Sequence, residues 1–308
     1  MARPRSPAAD YAVYLAVRLV VCVVQALAPD VARGVARGLA WLAYHVDRRH
    51  REVARDNLRH AFPSRYADAE LDRLVRAVYR HFATVFVEMV HLPRKLHTNN
   101  WRRYLELAGG DRIVGALLAG RPLLIVSGHF GNWEMGSYAL GLFGFRTFAV
   151  ARRLDNPHLD AFLRRFRQGT GQMILDKNTD YEPIQRVLAG GGALAMLADQ
   201  DAGRRGLFVD FFGRPASTFK SIALLALEYR AALLVMGAAK VGEPMRYRVV
   251  AEDLILPEEY DGRPDAVKAI TQRYTAALER LVRRHPEQYF WLHRRWKHQP
   301  PVRKAKAA

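Results

Sequence analysis

Residues 123–136, LLIVSGHFGNWEMG, decide how this chain reads. An unbroken apolar run is what a strand covered on both faces requires, and this one ends on a glycine-rich turn. A helix is expected to follow over residues 132–143. A buried strand has no use for a histidine or a carboxylate at its end, yet His129 and Glu134 both sit there. Outward from this point the pattern repeats. Strands are expected at RTFAV, QMIL, ALAMLA, ALLVMGAA and RYRVVAEDL, and helices over 157–168, 180–189, 218–230 and 264–284. Such alternation specifies an α/β fold, with a largely parallel central sheet flanked by helices. Open sheets of this kind place their sites beyond the carboxyl ends of the strands, which is where His129 falls.

Ahead of this region lies a helical one. Residues 33–60 read as helical and basic, and residues 68–90 place Leu71, Leu74, Val75, Val78, Phe82, Val85, Phe86 and Met89 at helical spacing. Residues 11–28, YAVYLAVRLVVCVVQALA, approach the length of a membrane-spanning helix but carry Arg18 and Gln25. No cleavage site of small residues follows, so an uncleaved membrane-associated helix is expected. It either spans or lies along the interface with Arg18 snorkelling; the alternative is a buried core helix. The chain is thus expected to divide into an anchor, 1–30, and a catalytic domain, 31–308. Within the latter, 31–110 is helical and 111–308 is the α/β core. The basic residues that follow the apolar run (Arg33, Arg37, Arg48, Arg49, Arg51) place the bulk of the chain on the cytoplasmic side of the cytoplasmic membrane.

The 308 residues carry 48 Lys plus Arg against 30 Asp plus Glu, a formal net charge of +18. This excess calls for an anionic partner: nucleic acid, an anionic membrane surface, or an acidic protein or phosphorylated substrate. The single cysteine, Cys22, excludes a disulfide framework and a paired-cysteine metal site. No nucleic-acid motif is present, and no metal or bound cofactor is expected.

Residues five apart on an α-helix lie roughly 140° apart around its axis. His129 and Glu134 therefore meet only if the histidine sits in the turn and Glu134 in the first helical turn. Gly128 and Gly131 give the backbone that freedom. Glu134 then accepts a hydrogen bond from one ring nitrogen and leaves the other as a general base. The alternatives are a polar turn residue for His129 and, for Glu134, a charge at a helix N-terminus capped by Asn132 or Gly131. No Gly-x-Ser-x-Gly elbow occurs, and Cys22 lies in an apolar run, so the base acts on water or on a substrate hydroxyl. A hydroxyl attacking a thioester forms an oxyanion that needs a cationic or hydrogen-bonding partner. Arg153, just past a strand, is a candidate, and the alternative is a solvated arginine. Asp199 and Asp201 follow another strand. They can orient Arg153 or a substrate hydroxyl, or simply pair with Arg204 or Arg205. The aromatic loop 207–219 either lines an acyl-chain groove or covers the core. In YFWLHRRWKH, 289–298, Arg294 and Arg295 suit lipid phosphates among interface-seeking aromatics. His91, His97, His158 and His298 lack metal-ligand spacing.

HFGNWE resembles the His-x4-Asp/Glu signature of the bacterial lipid A late acyltransferases, the lauroyl/myristoyl transferase family. RDNLRHAFP, RRLDNPHLD, LADQD and PEQYFWLHRRWK resemble further segments of that family in the same order, and together they cover nearly the whole chain. The resemblance implies transfer of an acyl chain from a thioester, of acyl carrier protein or coenzyme A, to a glycolipid hydroxyl. It assigns His129 as base, Glu134 as its partner and Arg153 to the oxyanion. It also marks Asn156, in the Arg-x-x-Asn-Pro segment, as a substrate contact. Leu154 departs from the proline associated with the lipid A members, which bears on the acceptor more than on the reaction. The rival readings are acylation of another glycolipid, a histidine-dependent hydrolase and a basic nucleic-acid binder.

Overall fold

The computed structural model describes residues 6–300 apart from 170, 177, 178 and 243. The first five residues of the expected anchor and the last eight of the catalytic domain lie outside these. Seven strands form the central sheet, in the order β1 (Leu105–Ala108), β9 (Tyr247–Ile255), β8 (Ala232–Lys240), β2 (Leu123–Ser127), β5 (Ala193–Leu197), β3 (Thr147–Ala151), β4 (Gln172–Asp176). Every neighbouring pair is parallel except β8–β9. The expected α/β sheet is present, and it also recruits β1, from within the segment expected to be helical.

The central position of β2 explains its unbroken apolar run. Leu124 and Val126 enter one core, and Leu123 and Ile125 enter the core on the opposite face. Each fully buried side chain of this size contributes about 1.5–3 kcal/mol. The face that receives Leu123 is covered by α5 (Gly110–Leu118) and α6 (Trp133–Leu142). The other is covered by α8 (Tyr181–Ala189), α9 (Ser221–Glu228), α10 (Ala266–Arg284) and the helical region. Helix α7 (Pro157–Gln168) precedes β4.

The aromatic segment 207–219 is a hairpin, β6 (Leu207–Phe211) and β7 (Arg214–Thr218). Its two-residue turn is Phe212–Gly213, both with positive φ (56° and 74°), the geometry that hairpin twist favours. Phe211 and Phe212 are buried in the main core, so this segment covers the core.

Four helices lead into the sheet: α1 (Pro7–Ala26), α2 (Pro29–Val46), α3 (Arg48–Ala61) and α4 (Asp68–Lys95). Helix α1, with mean hydropathy 1.7 over its apolar window, is long and apolar enough to cross a membrane, judged by length and composition. Of the polar residues in its apolar run, Gln25 is half-buried and Arg18 stays exposed with its guanidinium against a neighbouring ring. Arg18 lies over the Phe162 ring of α7 at 5.0 Å, and Gln25 Nε2 donates to Val90 O at 3.0 Å. Helix α2 packs a column of small side chains, Ala32, Ala36 and Ala40, into the protein. Its outer side exposes Val31, Val35, Leu39, Leu42 and Val46.

Candidate active site

Three adjacent parallel strands, β2, β5 and β3, deliver His129, Asp199 and Arg153 to one rim of the sheet. The turn that carries His129 is held at every residue. Phe130 N bonds Gly128 O at 2.7 Å, and Gly131 N donates to Gln288 O at 2.8 Å. Asn132 N donates to Ala238 O at 2.9 Å, and Phe290 N donates to His129 O at 3.0 Å. Gly131 has φ +57°, and a Cβ there would lie 1.9 Å from Ala238 O, so the turn requires glycine at this position. A Cβ on Gly128 would lie 3.1 Å from the Asp199 side chain. Asn132 caps α6, its side chain accepting from Met135 N at 3.0 Å. The C-terminal block therefore serves here as a brace, with Gln288 and Phe290 pinning the backbone on either side of Phe130.

His129 finds its partner 70 residues away. Its Nδ1 bonds Asp199 Oδ1 at 2.9 Å, and its backbone N donates to Asp199 Oδ2 at 2.8 Å. Asp199 is almost wholly buried. Burial alone would raise its pKa, but the charge and hydrogen bonds of His129 prevail and hold the carboxyl at about 2. Burial likewise opposes charge on His129, yet Asp199 raises the imidazole above its ordinary value, with a smaller contribution from Glu134. The histidine side chain stays 21% exposed, and its Nε2 has no hydrogen-bond partner among the described residues. Trp133 and Phe290 flank the ring, at centroid distances of 5.0 and 6.1 Å, and Phe82 of α4 touches both of them.

Glu134 does not bond His129. It occupies the first turn of α6, as expected, but its carboxylate is taken by the Arg167 guanidinium in a forked ion pair, with Nε 3.0 and 3.1 Å from the two oxygens. Trp133 Nε1 donates to it at 3.2 Å. The reason is directional: the His129 Nδ1 edge faces β5, and Glu134 faces the last turn of α7. Trp133, Glu134 and Arg167 line the polar end of a cleft between the sheet and α6 enclosing about 740 Å³ of empty space, part of it open to solvent. The remainder is mostly apolar, with small residues that include Gly136, Ala149, Ala151, Ala195 and Ala238, and the polar groups of Ser127, Ser137, Thr147 and Gln172 among them.

Arg153 is held by Asp176, at the end of β4, with Nε–Oδ2 3.1 Å, and most of its side chain is exposed. Asp199, spent on His129, does not orient it. Two strand spacings, about 10 Å, separate the β3 and β2 lines, and Asp176 on β4 holds the Arg153 side chain on the side of β3 away from His129. Asn156 caps α7 through His158 N and Leu159 N, and its amide donates to Asp10 O at 2.8 Å. It is buried and fastens α1 to the core. Asp201 bonds His298 Nδ1 at 2.7 Å and Gly203 N at 3.1 Å. Arg204 and Arg294 are exposed. Arg295 is 1% exposed and donates to Ser217 O and Thr218 Oγ1, both at 2.6 Å, so it cannot reach a lipid phosphate. Trp291 and Trp296 are buried beside it and are not interface anchors. Among the described residues, no three or more His, Cys, Asp or Glu side chains are grouped to hold a metal ion.

Sequence reasoning missed Arg167, Asp176 and Gln288. The only sequence signal for the first two was position: Asp176 ends a strand beside Arg153's, and Arg167 closes a helix that returns to the sheet.

The family described as "Bacterial lipid A biosynthesis acyltransferase" matches residues 3–298. A lipid A biosynthesis palmitoleoyltransferase of Escherichia coli (strain K12) is 26% identical over 255 residues, 82% of this chain and 80% of the relative. A lipid A biosynthesis lauroyltransferase of the same organism is 26% identical, covering 85% of this chain and 84% of the relative. A phosphatidylinositol mannoside acyltransferase of Mycolicibacterium smegmatis is 28% identical, covering 73% of each. With the family match running through the helical region, the histidine turn and the C-terminal brace alike, the chain belongs to the bacterial lipid A biosynthesis acyltransferase family and is an acyltransferase.

Proposed function

We propose that the protein is a membrane-associated O-acyltransferase that moves a fatty acyl chain from a thioester to a hydroxyl of a glycolipid such as a lipid A precursor. The observation that carries this reading is the His129–Asp199 pair. Asp199 fixes Nδ1 as the protonated nitrogen, so Nε2 presents a lone pair to the acceptor. Nε2 takes the hydroxyl proton as the alkoxide attacks the thioester carbonyl. The C–S bond then breaks, and the thiolate recovers the proton from Nε2. Asp199 stabilises the imidazolium between these steps. Arg153 is the group that stabilises the oxyanion, since the backbone N–H groups of His129, Phe130 and Gly131 already donate within the protein. The cleft beside Trp133, lined largely by apolar side chains, is the candidate place for the acyl chain. No cofactor is required.

Acceptors named for the relatives, lipid A and phosphatidylinositol mannosides, are both glycolipids, which supports that class for this chain. Residues 1–30 act as the anchor of a catalytic domain over 31–308, on the cytoplasmic side of the cytoplasmic membrane. Helix α1 offers the bilayer an apolar outer surface that includes Leu15, Leu19 and Val23, with the exposed Arg18 set to one side over the Phe162 ring, and the exposed stripe of α2 extends the contact. Purified protein given an isotopically labelled acyl thioester, with and without a glycolipid, tests the reading. Labelled ester is expected only with the acceptor. Free fatty acid formed at the same rate without it would identify a hydrolase.

A further inference from the structure

The first turns of α1 are tied to the segment that carries Arg153. Strand β3 ends at Ala151 and α7 begins at Pro157, so Arg153 sits in a link of five residues, 152–156. Leu154 N donates to Asp160 Oδ1 at 2.9 Å, and Asp160 pairs in turn with Arg164 of the same helix at 2.8 Å. Asn156 closes the link. Its side-chain oxygen caps α7, accepting from His158 N and Leu159 N at 3.0 and 3.2 Å, while its amide donates to Asp10 O of α1 at 2.8 Å. Asn156 is 4% exposed, so water does not readily replace the α1 carbonyl as the partner of that amide.

Around this bond the two helices interlock. Tyr11 and Tyr14 pack on His158, at ring-centroid distances of 5.3 and 5.8 Å. Tyr14 and Arg18 meet Phe162, at 6.4 and 5.0 Å. Tyr11, Tyr14 and Arg18 stand three and four residues apart, and His158 and Phe162 four apart, so each set shares one helix face. Helix α1 thus clamps α7 at the end from which the Arg153 link emerges.

The placement of that link bears on the reaction. Asp176 holds Arg153 aside from His129, and about 10 Å separates the β3 and β2 lines. To meet the oxyanion, Arg153 has to leave Asp176 and extend toward β2. A side chain working over that span tolerates little error in its own backbone. The Arg153 backbone is fixed on one side by the sheet and on the other, three residues on, by Asn156.

We propose that Asn156 is a positioning residue: by fastening the Arg153 link to α1, it makes the helix assigned above as the membrane anchor part of the frame on which the oxyanion is stabilised. The proposal rests on the oxyanion role of Arg153. It also replaces the substrate contact that the family resemblance implies for Asn156, because both ends of this side chain are engaged within the protein.

The test is a double-mutant cycle in the full-length protein, with the acyl thioester and the glycolipid varied in turn. Asn156→Ser keeps a capping oxygen for α7 but is too short to reach Asp10 O. Tyr11→Ala/Tyr14→Ala loosens the same clamp from the side of α1 and leaves Asn156 in place. Each is expected to lower turnover by about ten- to a hundredfold with both Michaelis constants nearly unchanged. Vesicle flotation of Asn156→Ser is expected to match that of the unmodified protein. In an Arg153→Ala background neither change should lower turnover further, because both act through Arg153. An equal fold-loss with and without Arg153 would overturn the proposal, since a general loss of folded protein is blind to that side chain. A raised Michaelis constant in Asn156→Ser would overturn it in favour of a substrate contact, and unchanged turnover in both variants would overturn it outright. Normal turnover in Arg153→Ala alone would instead refute the oxyanion role beneath it, a result visible before any change at Asn156 is made.

Discussion

Replacing Asp199 by Asn removes one charge and almost no volume. Asp199 accepts two hydrogen bonds from His129, at 2.8 Å from the backbone and 2.9 Å from the ring. An Asn offers one acceptor oxygen, so its NH2 group must face one of those two donors, and the ring is driven toward the wrong tautomer. The carboxyl is held at about 2 against an ordinary 3.8, which corresponds to roughly 2–3 kcal/mol of preference for the charged form in this setting. Turnover is expected to fall by about 10²–10⁴, with little change in either Michaelis constant. The pH profile carries a second signature. His129 acts as a base only when neutral, and Asp199 raises its pKa, so kcat/KM rises with pH through a value above the ordinary 6.5. In Asp199→Asn, burial is opposed only by the smaller contribution of Glu134, and that acid limb moves to lower pH while the plateau drops. Stability follows the same linkage. The contribution from His129 is complete below 6.5 and is lost as pH rises through its raised folded pKa. The contribution from Asp199 is complete above 3.8 and is lost as pH falls toward about 2. The pair therefore stabilises most between those limits, a maximum the variant should lack in thermal melts. Near-normal turnover with an unmoved acid limb would refute the assignment of Asp199 as the residue that orients His129.

Glu134→Ala strips a buried partner from Arg167 and is expected to cost about 3–5 kcal/mol in denaturant unfolding, with Glu134→Ala/Arg167→Met recovering part of it. A stable but inactive single variant would instead support direct participation of Glu134 in the reaction. Arg153→Ala should lower turnover by roughly 10²–10³ with the Michaelis constants nearly intact, because an oxyanion exists only during reaction. A raised Michaelis constant at normal turnover would move Arg153 to substrate binding. Leu39→Ser/Leu42→Ser, both on the exposed side of α2, should weaken vesicle flotation without altering the melting temperature; unchanged flotation would confine the membrane contact to α1.

What the sequence disclosed was local. The apolar run of β2 and the glycines around His129 announce a buried strand and a tight turn, because both demands fall on neighbouring residues. The partner of His129 is set by sheet order instead. Asp199 reaches it because β5 lies beside β2 in the same register, Ser127 opposite Leu197, and no spacing along the chain encodes that. The useful signal was that Asp199, like His129, follows the carboxyl end of a strand. The hairpin at 207–219 escaped notice because its turn places Phe212 at positive φ, where Asn or Gly is the usual sign. Arg294 and Arg295 looked alike in sequence, but the Ser217 carbonyl and the Thr218 hydroxyl on β7 draw Arg295 inside while Arg294 stays exposed.

Mass spectrometry of membrane glycolipids from cells that make either the unmodified protein or His129→Ala tests the central claim most directly. The unmodified protein is expected to yield a glycolipid heavier by one acyl chain, with no corresponding species in the His129→Ala cells, although that protein accumulates to the same level in the membrane. The same acylated glycolipid in both strains would contradict the role of His129, and unchanged glycolipids with released fatty acid would contradict the transfer itself.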